Sequence, residues 1–112
     1  MPLTETDHQG LRRGAFAEGA IWADSPYYDQ AEPYIADQWR GYIWPMIGDC
    51  DFTCVVDLAA GHGRNSHLLR EVAGQIIVVD INQENVDFCR RRFAGDSRFR
   101  FLKNDGCSLA GI

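Results

Sequence analysis

The sequence has no apolar run approaching the roughly 20 residues that a membrane-spanning helix needs. Nor does its N-terminus, Met1-Pro2-Leu3-Thr4-Glu5-Thr6, carry the charged-then-apolar pattern of a signal peptide. No membrane association is therefore expected, and the simplest location is the cytoplasm. Basic residues are too few for a nucleic-acid footprint: 11 Lys and Arg against 16 Asp and Glu leave a net charge of −5, where a phosphate-binding surface would be basic. Cysteines are few and poorly spaced for metal. The four at 50, 54, 89 and 107 form one C-x3-C pair and two singles, with no C-x-x-C and no histidine at finger spacing. Reduced, partly buried thiols are expected and no metal site is. With 112 residues, 46% of them hydrophobic, the chain can bury one core and no more.

Against these absences, one stretch carries a strong pattern: Val55-Val56-Asp57-Leu58-Ala59-Ala60-Gly61-His62-Gly63-Arg64. The apolar run from about Cys54 reads as a buried strand, the small residues and two glycines as a tight turn, and residues 65–73 as a helix burying Leu68, Leu69 and Val72. Gly61 and Gly63 lack a Cβ and can take positive φ, and the helix start offers unpaired N–H groups. Together these suit a ligand with a negative group. Gly74 is expected as a left-handed C-terminal cap.

A dinucleotide fingerprint would be G-x-G-x-x-G, but Gly61-His62-Gly63-Arg64-Asn65-Ser66 puts serine at the third glycine, which weakens an NAD reading. Counted from Asp57 the run is D-x-A-x-G-x-G. It resembles motif I of the class I S-adenosylmethionine-dependent methyltransferases, D/E-x-G-x-G-x-G, with Ala59 at the first glycine and a slightly tighter pocket expected there.

Further motifs fit the resemblance. Gln75-Ile76-Ile77-Val78-Val79-Asp80 is apolar without alternation, as in a parallel strand covered on both faces. It ends on an acid seventeen residues beyond Gly63, where ribose hydroxyls are accepted in nucleotide folds. The resemblance gives Asp80 both ribose hydroxyls of S-adenosylmethionine and Ile81 the adenine face; the plainer reading of Asp80 is a charge at a helix start. In the following helix, residues 82–93, Val86, Cys89 and Phe93 are expected to be buried, Gly95 stops it, and Arg90, Arg91 and Arg92 complement its dipole while staying solvated. Arg98-Phe99-Arg100-Phe101-Leu102 alternates as a half-exposed edge strand does. By resemblance, Asp105 accepts from the adenine amino group and the Gly106 N–H reaches a ring nitrogen, although Asn104-Asp105-Gly106 is also an ordinary turn. Arg64 is expected to pair with the methionine carboxylate, or to be an exposed first-turn arginine.

Upstream, residues 1–24 read as a mobile arm with a solvated His8. Glu32-Pro33 opens a helix with an aromatic-rich stripe through Ile35, Trp39, Tyr42, Ile43 and Met46, which Pro45 ends or kinks. That segment either shapes a substrate pocket or packs on the sheet, with Tyr27, Tyr28 and Tyr34 as candidates for a lid. His62 is expected to be a loop position dominated by its backbone, and His67 simply helical.

The expected architecture is a Rossmann-like doubly wound α/β fold, with three parallel strands in the order 3-2-1, their helices and an N-terminal helical segment. The resemblance covers residues 30–110. It makes residues 25–112 the cofactor-binding half of a methyltransferase domain whose later strands, with the substrate pocket, are absent. The function implied is methyl transfer from S-adenosylmethionine to a small-molecule acceptor, with no identifiable catalytic residue. The competing reading is a non-catalytic module that pairs through the exposed edge of its first strand.

Overall fold

In the computed structural model the described residues are 2, 4–7, 9–10 and 26–112. His8 and most of the arm expected over 1–24 lie outside them, as do the side chains of Tyr27 and Tyr28. The described elements are α1 (Tyr27–Gln38), a π-helical turn (Trp39–Ile43), α2 (Trp44–Ile47), β1 (Cys54–Leu58), α3 (Arg64–Leu69), β2 (Gln75–Asp80), α4 (Gln83–Arg92) and β3 (Phe99–Lys103).

The three strands form one parallel sheet in the order β1-β2-β3, the expected arrangement. Val55, Ile76 and Phe99 lie in one row, Asp57, Val78 and Phe101 in the next but one. β2 is paired on both sides, and its unbroken apolar run is explained by that: Ile76, Val78 and Val79 are wholly buried. Ile76, Val78 and Phe99 pack with Leu69, Ala73, Cys89 and Phe93 from the helical layer, and Phe93 stacks on Phe99 with ring centroids 4.3 Å apart. Burial of each such large side chain stabilises the fold by about 1.5–3 kcal/mol. β1 differs from its reading as a buried strand. Val56 is 44% and Leu58 53% exposed, on the face of β1 opposite to that of buried Asp57 and half-buried Val55; among the described residues β1 also pairs with β2 alone.

Several boundaries move for reasons that lie far away in sequence. α3 ends at Leu69 rather than near Ala73, and Val72 is exposed. Gly74 is no left-handed cap, since it is absent from the positive-φ residues. The terminal carbonyls are met instead by Arg98, whose Nη1 donates to Arg70 O at 2.8 Å and Ala73 O at 3.1 Å. Asp96 holds that guanidinium in a two-point contact at 3.0 and 2.8 Å, and the contact pulls the Asp96 carboxyl down to about 2. Gly74 is required by close approach: a Cβ there would stand 2.6 Å from Thr53 O, where Gly74 N donates to Phe52 O and starts the β1–β2 ladder.

Upstream, α1 begins at Tyr27 and carries Pro33 in its interior, not in its first turn. Pro45 has no N–H for the carbonyl four residues back. The helix widens just before it, so that Trp44 N reaches Trp39 O, five residues back. The half-buried stripe is Ile35, Trp39 and Ile43; Tyr34, Tyr42 and Met46 face solvent, so Tyr42 does not pack on the sheet. Trp44 stacks on Phe52 at 5.5 Å. No helix among the described residues is long and apolar enough to cross a membrane.

Candidate functional site

β1 enters the site through Asp57, whose side chain points into the interior. Its Oδ2 accepts from Ser66 N at 3.1 Å and Ser66 Oγ at 2.5 Å, so a strand carboxylate caps the first turn of α3 from outside the helix. Burial raises the Asp57 pKa, and the two Ser66 bonds oppose that rise. Ser66 is fully buried in this role. The serine that interrupts the dinucleotide fingerprint is therefore a partner for Asp57, and a glycine there would keep only the backbone N–H contact.

Between Asp57 and α3 the backbone turns left-handed three times, at Ala59 (φ 57°), Gly61 (φ 58°) and Gly63 (φ 81°). Only glycine takes this conformation without steric cost, and at Ala59 the cost is about 1–2 kcal/mol. Everything around the turn holds it. Ala60 N donates to Val79 O at 3.1 Å, and Gly63 N to Ala60 O at 2.9 Å. Gly61 is fixed at both ends of its residue: its N–H donates to Asp80 Oδ2 at 2.8 Å, and its carbonyl accepts from Cys89 Sγ at 3.3 Å. Burial, with the charges of Asp57 and Asp80 adding to it, pushes the Cys89 thiol up to about 12, which keeps the proton that this bond uses. His62 stacks its ring on Phe88 at 3.9 Å and gives its carbonyl to Arg92 Nη1 at 2.9 Å.

Arg92 is thus not a solvated helix-end arginine. It is half-buried and also pairs with Glu32, tying α1 to the turn. Arg90 and Arg91 are exposed, as expected, Arg90 with its guanidinium 5.4 Å from the Phe101 ring centroid.

A cleft of about 360 Å³ opens at the carboxyl ends of the three strands, lined by Leu58 and Ala59, by Asp80 and Ile81, and by Asn104 with residues 106–109. Open parallel sheets bind ligands at this end. Of the residues expected at a cofactor, Ala59, Asp80, Ile81 and Gly106 line it together. Asp57, Gly61 and Gly63 are buried and do not line it. Arg64 is directed elsewhere, into a separate cleft of about 490 Å³ between α1 and α3, with Glu32, Arg40, His67 and Glu71. Asp105 also stays out of the cleft, because its Oδ1 accepts from Cys107 N at 2.9 Å and Ser108 N at 3.0 Å in a local turn. Asn104 takes the lining position in its stead.

Two residues of the site escape a reading of the sequence. Asn104 looks like turn chemistry, and Asn85 looks like an exposed residue in a helical first turn. Asn85 is in fact 1% exposed, and its Nδ2 donates to Asp80 Oδ1 at 3.2 Å. The available signal was its spacing: Asn85, Cys89 and Arg92 follow at i, i+4 and i+7, one face of α4, and all three touch the turn or the acid that holds it.

The family described as "Methyltransferase domain" matches residues 55–111. A demethylmenaquinone methyltransferase of Clavibacter sepedonicus is 29% identical over 89 residues, which cover 76% of this chain and 36% of that protein. The solved structure of a DhpI–SAH complex superposes with a TM-score of 0.65 at 18% identity, over 87% of this chain and 46% of that one. Haemonchus contortus phosphoethanolamine N-methyltransferase 1, solved with phosphoethanolamine and S-adenosylhomocysteine, gives a TM-score of 0.57 at 15% identity, over 91% and 22%. The chain thus spans less than half the length of each of these relatives.

Proposed function

This chain belongs to the methyltransferase-domain family, and on that footing we propose that its strand-end cleft holds S-adenosylmethionine, for transfer of the methyl group to a small-molecule acceptor. The observation that carries the reading is the setting of Asp80. A buried acid at the end of β2 lines the cleft, while its Oδ2 grips Gly61 of the left-handed turn. That couples a hydroxyl acceptor to the backbone loop beside it, the pairing of features that a nucleoside with a charged tail calls for.

In this reading residues 25–112 form the cofactor-binding part of the domain. Asp80 accepts from the ribose, and Ile81 with Leu109 offers apolar surface to the adenine. Gly106 and Asn104 present polar groups at the base edge. Asp57 acts at one remove, by locking Ser66 and so the start of α3. The cofactor supplies an electrophilic methyl on a sulfonium; the protein's part is to hold the reactants in line and exclude water, which alone is worth several kcal/mol of barrier. The alternative expectations for Arg64 divide accordingly: an arginine aimed between α1 and α3 fits the carboxylate role only if it rotates toward the turn. A small-molecule acceptor is supported by the net charge of −5 and by the name of the bacterial relative. The four cysteines, none of them in a disulfide, suit a reducing compartment, and the cytoplasm is the proposed location.

Calorimetric titration of the 112-residue protein with S-adenosylhomocysteine and, separately, with NAD tests the cofactor. Saturable binding of the first is expected, weakened about 10–100-fold by Asp80→Ala, which removes hydrogen bonds to a charged group; binding of NAD alone would sink the proposal. With a protein that also carries the later strands of the domain, label from methyl-tritiated cofactor should appear in the low-mass fraction of an extract rather than on macromolecules. A second reading, in which the chain acts by strand pairing, is favoured by one observation: the open edge of β1 with Val56 and Leu58 exposed. Sedimentation decides it, since a monodisperse monomer that binds the cofactor leaves the edge without that role.

A further inference from the structure

One guanidinium joins three elements that lie far apart in sequence. Arg92, at the end of α4, donates through Nη1 to His62 O of the glycine turn at 2.9 Å and pairs through Nη2 with Glu32 of α1. Separations of 30 and 60 residues are bridged by that one side chain. A guanidinium is a rigid planar fork, so its two arms do not move independently. The Arg92 and Glu32 side chains are only 21% and 30% exposed, which spares them much of the screening that leaves open surface pairs near zero.

Two further observations give this junction a role beyond support. No described side chain from residue 30 to residue 47 is fully buried, so α1 rests on the body through half-buried contacts, and an element held in that way opens at low free energy. Nor does any residue of that segment line the strand-end cleft. The two meet at the turn instead. Gly61, next to His62, is gripped by Asp80, and Asp80 and Ala59 both line the cleft.

We propose that Arg92 is a positioning residue that couples the seating of α1 to occupation of the strand-end cleft. This rests on the assignment of that cleft to S-adenosylmethionine. A ligand held at Asp80 and Ala59 steadies the turn, the steadied turn fixes His62 O, and a fixed His62 O keeps the guanidinium where Glu32 meets it. The converse follows from linkage: a seated α1 orients the fork and through it the His62 carbonyl, so that it tightens binding by the same factor. α1 thus acts on the cofactor without touching it.

Hydrogen exchange of the α1 amides and calorimetry, both on the full 112-residue chain with S-adenosylhomocysteine, read the two sides of this linkage. In the wild type, saturating ligand should slow exchange across Tyr27–Gln38 by about fivefold or more. Glu32→Ala frees α1 and leaves Arg92 on His62. Affinity should then fall by about the factor seen in the exchange, and α1 should no longer respond to ligand. Reversal of the pair, Glu32→Arg with Arg92→Glu, returns an ion pair to α1, but a carboxylate cannot donate to His62 O. α1 should be seated again without ligand and remain indifferent to it, whereas a merely structural bridge would be repaired in full. Should the reversed pair not fold, the comparison of wild type with Glu32→Ala decides by itself. Affinity within about twofold of wild type in Glu32→Ala, wild-type α1 exchange indifferent to ligand, or a restored ligand response in the reversed pair would each overturn the coupling through Arg92 and leave the cofactor assignment standing. Failure of S-adenosylhomocysteine to bind the wild type would overturn both.

Discussion

Substitution of Gly63 by alanine tests the core of the description, because two separate costs converge there. A Cβ at Gly63 would stand 2.7 Å from Phe93 Cε2, 3.0 Å from Cζ and 3.1 Å from Cys89 Sγ. It would also sit on a backbone at φ 81°, which costs an alanine about 1–2 kcal/mol. Phe93 cannot withdraw freely, since it is stacked on Phe99 at 4.3 Å and fully packed; crowding of that kind costs about 1–3 kcal/mol. The lower chain entropy of unfolded alanine returns about 0.4–1 kcal/mol. The net loss is roughly 2–4 kcal/mol. At about 4–8 °C per kcal/mol for a domain of this size, Tm should fall by roughly 10–25 °C. Urea denaturation followed by far-UV circular dichroism measures the loss. A double-mutant cycle with Phe93→Leu separates its parts: the crowding should be relieved, giving a coupling of about 1–2 kcal/mol, and the backbone cost should not. A Gly63→Ala protein within about 0.5 kcal/mol of wild type would show that the turn is not pressed against α4, and the account of the site would fail with it.

Three other outcomes follow from the same contacts. Ala59→Gly removes a left-handed alanine from an exposed position and should stabilise by about 0.5–1 kcal/mol in the same assay; destabilisation would mean that Ala59 does not hold a φ of 57°. Arg92→Lys keeps the charge but cannot reach both His62 O and Glu32, so it should cost about 1–2 kcal/mol, against about zero for the same change at exposed Arg91; equal effects would show that the fork is not used. For Cys89 the unfolded thiol titrates near 9.0 and the folded one at about 12, so the unfolded state loses its proton first. Its contribution to stability is complete below pH 9 and is lost as pH rises toward 12. Cys89→Ala should therefore show a shallower alkaline decline, and at pH 8 a disulfide reagent should label Cys50 and Cys54 at once and Cys89 only on unfolding. Labelling of all three at one rate would contradict the burial of Cys89.

The features legible in the sequence were those written in local pattern. The unbroken apolar run of β2 and the glycines at 61 and 63 each have a single physical reading; the acid that closes β2 had two, and the structure has all of them together at the strand ends. The alternation of β3 likewise gave its half-exposed character. Features set by distant partners were not legible. Gly74 has the right spacing for a helix cap, but its reason is Thr53 O on another strand, and the capping duty fell to Arg98, 28 residues from Arg70. Arg92 and Arg91 are neighbours of the same type in one run, and only the presence of Glu32 and the His62 carbonyl distinguishes them. Asp105 had two readings from the start; two backbone N–H groups just beyond it engage its Oδ1 in the turn. Val56 looked buried by composition, and its exposure depends on what covers that face of β1, which no residue of the strand encodes.

The way Gly61 and His62 are held has a consequence for the order in which the molecule assembles. The bonds that fix these two residues reach Asp80, Cys89 and Arg92, at separations of 19, 28 and 30 residues. None is available to the β1–α3 segment alone, and the left-handed backbone at Gly61 has little to favour it until they form. The first strand–helix unit can thus gain its secondary structure early, by local contacts, while the loop between them stays unformed until α4 docks on the sheet. Formation of the left-handed turn beside the strand-end cleft becomes a late event that reports completion of the second crossover. Phi-values near zero at Gly61 and Gly63, with higher values at Ile76 and Val78, would be the kinetic signature of that sequence of events, and a ligand that grips the turn would slow unfolding without speeding folding.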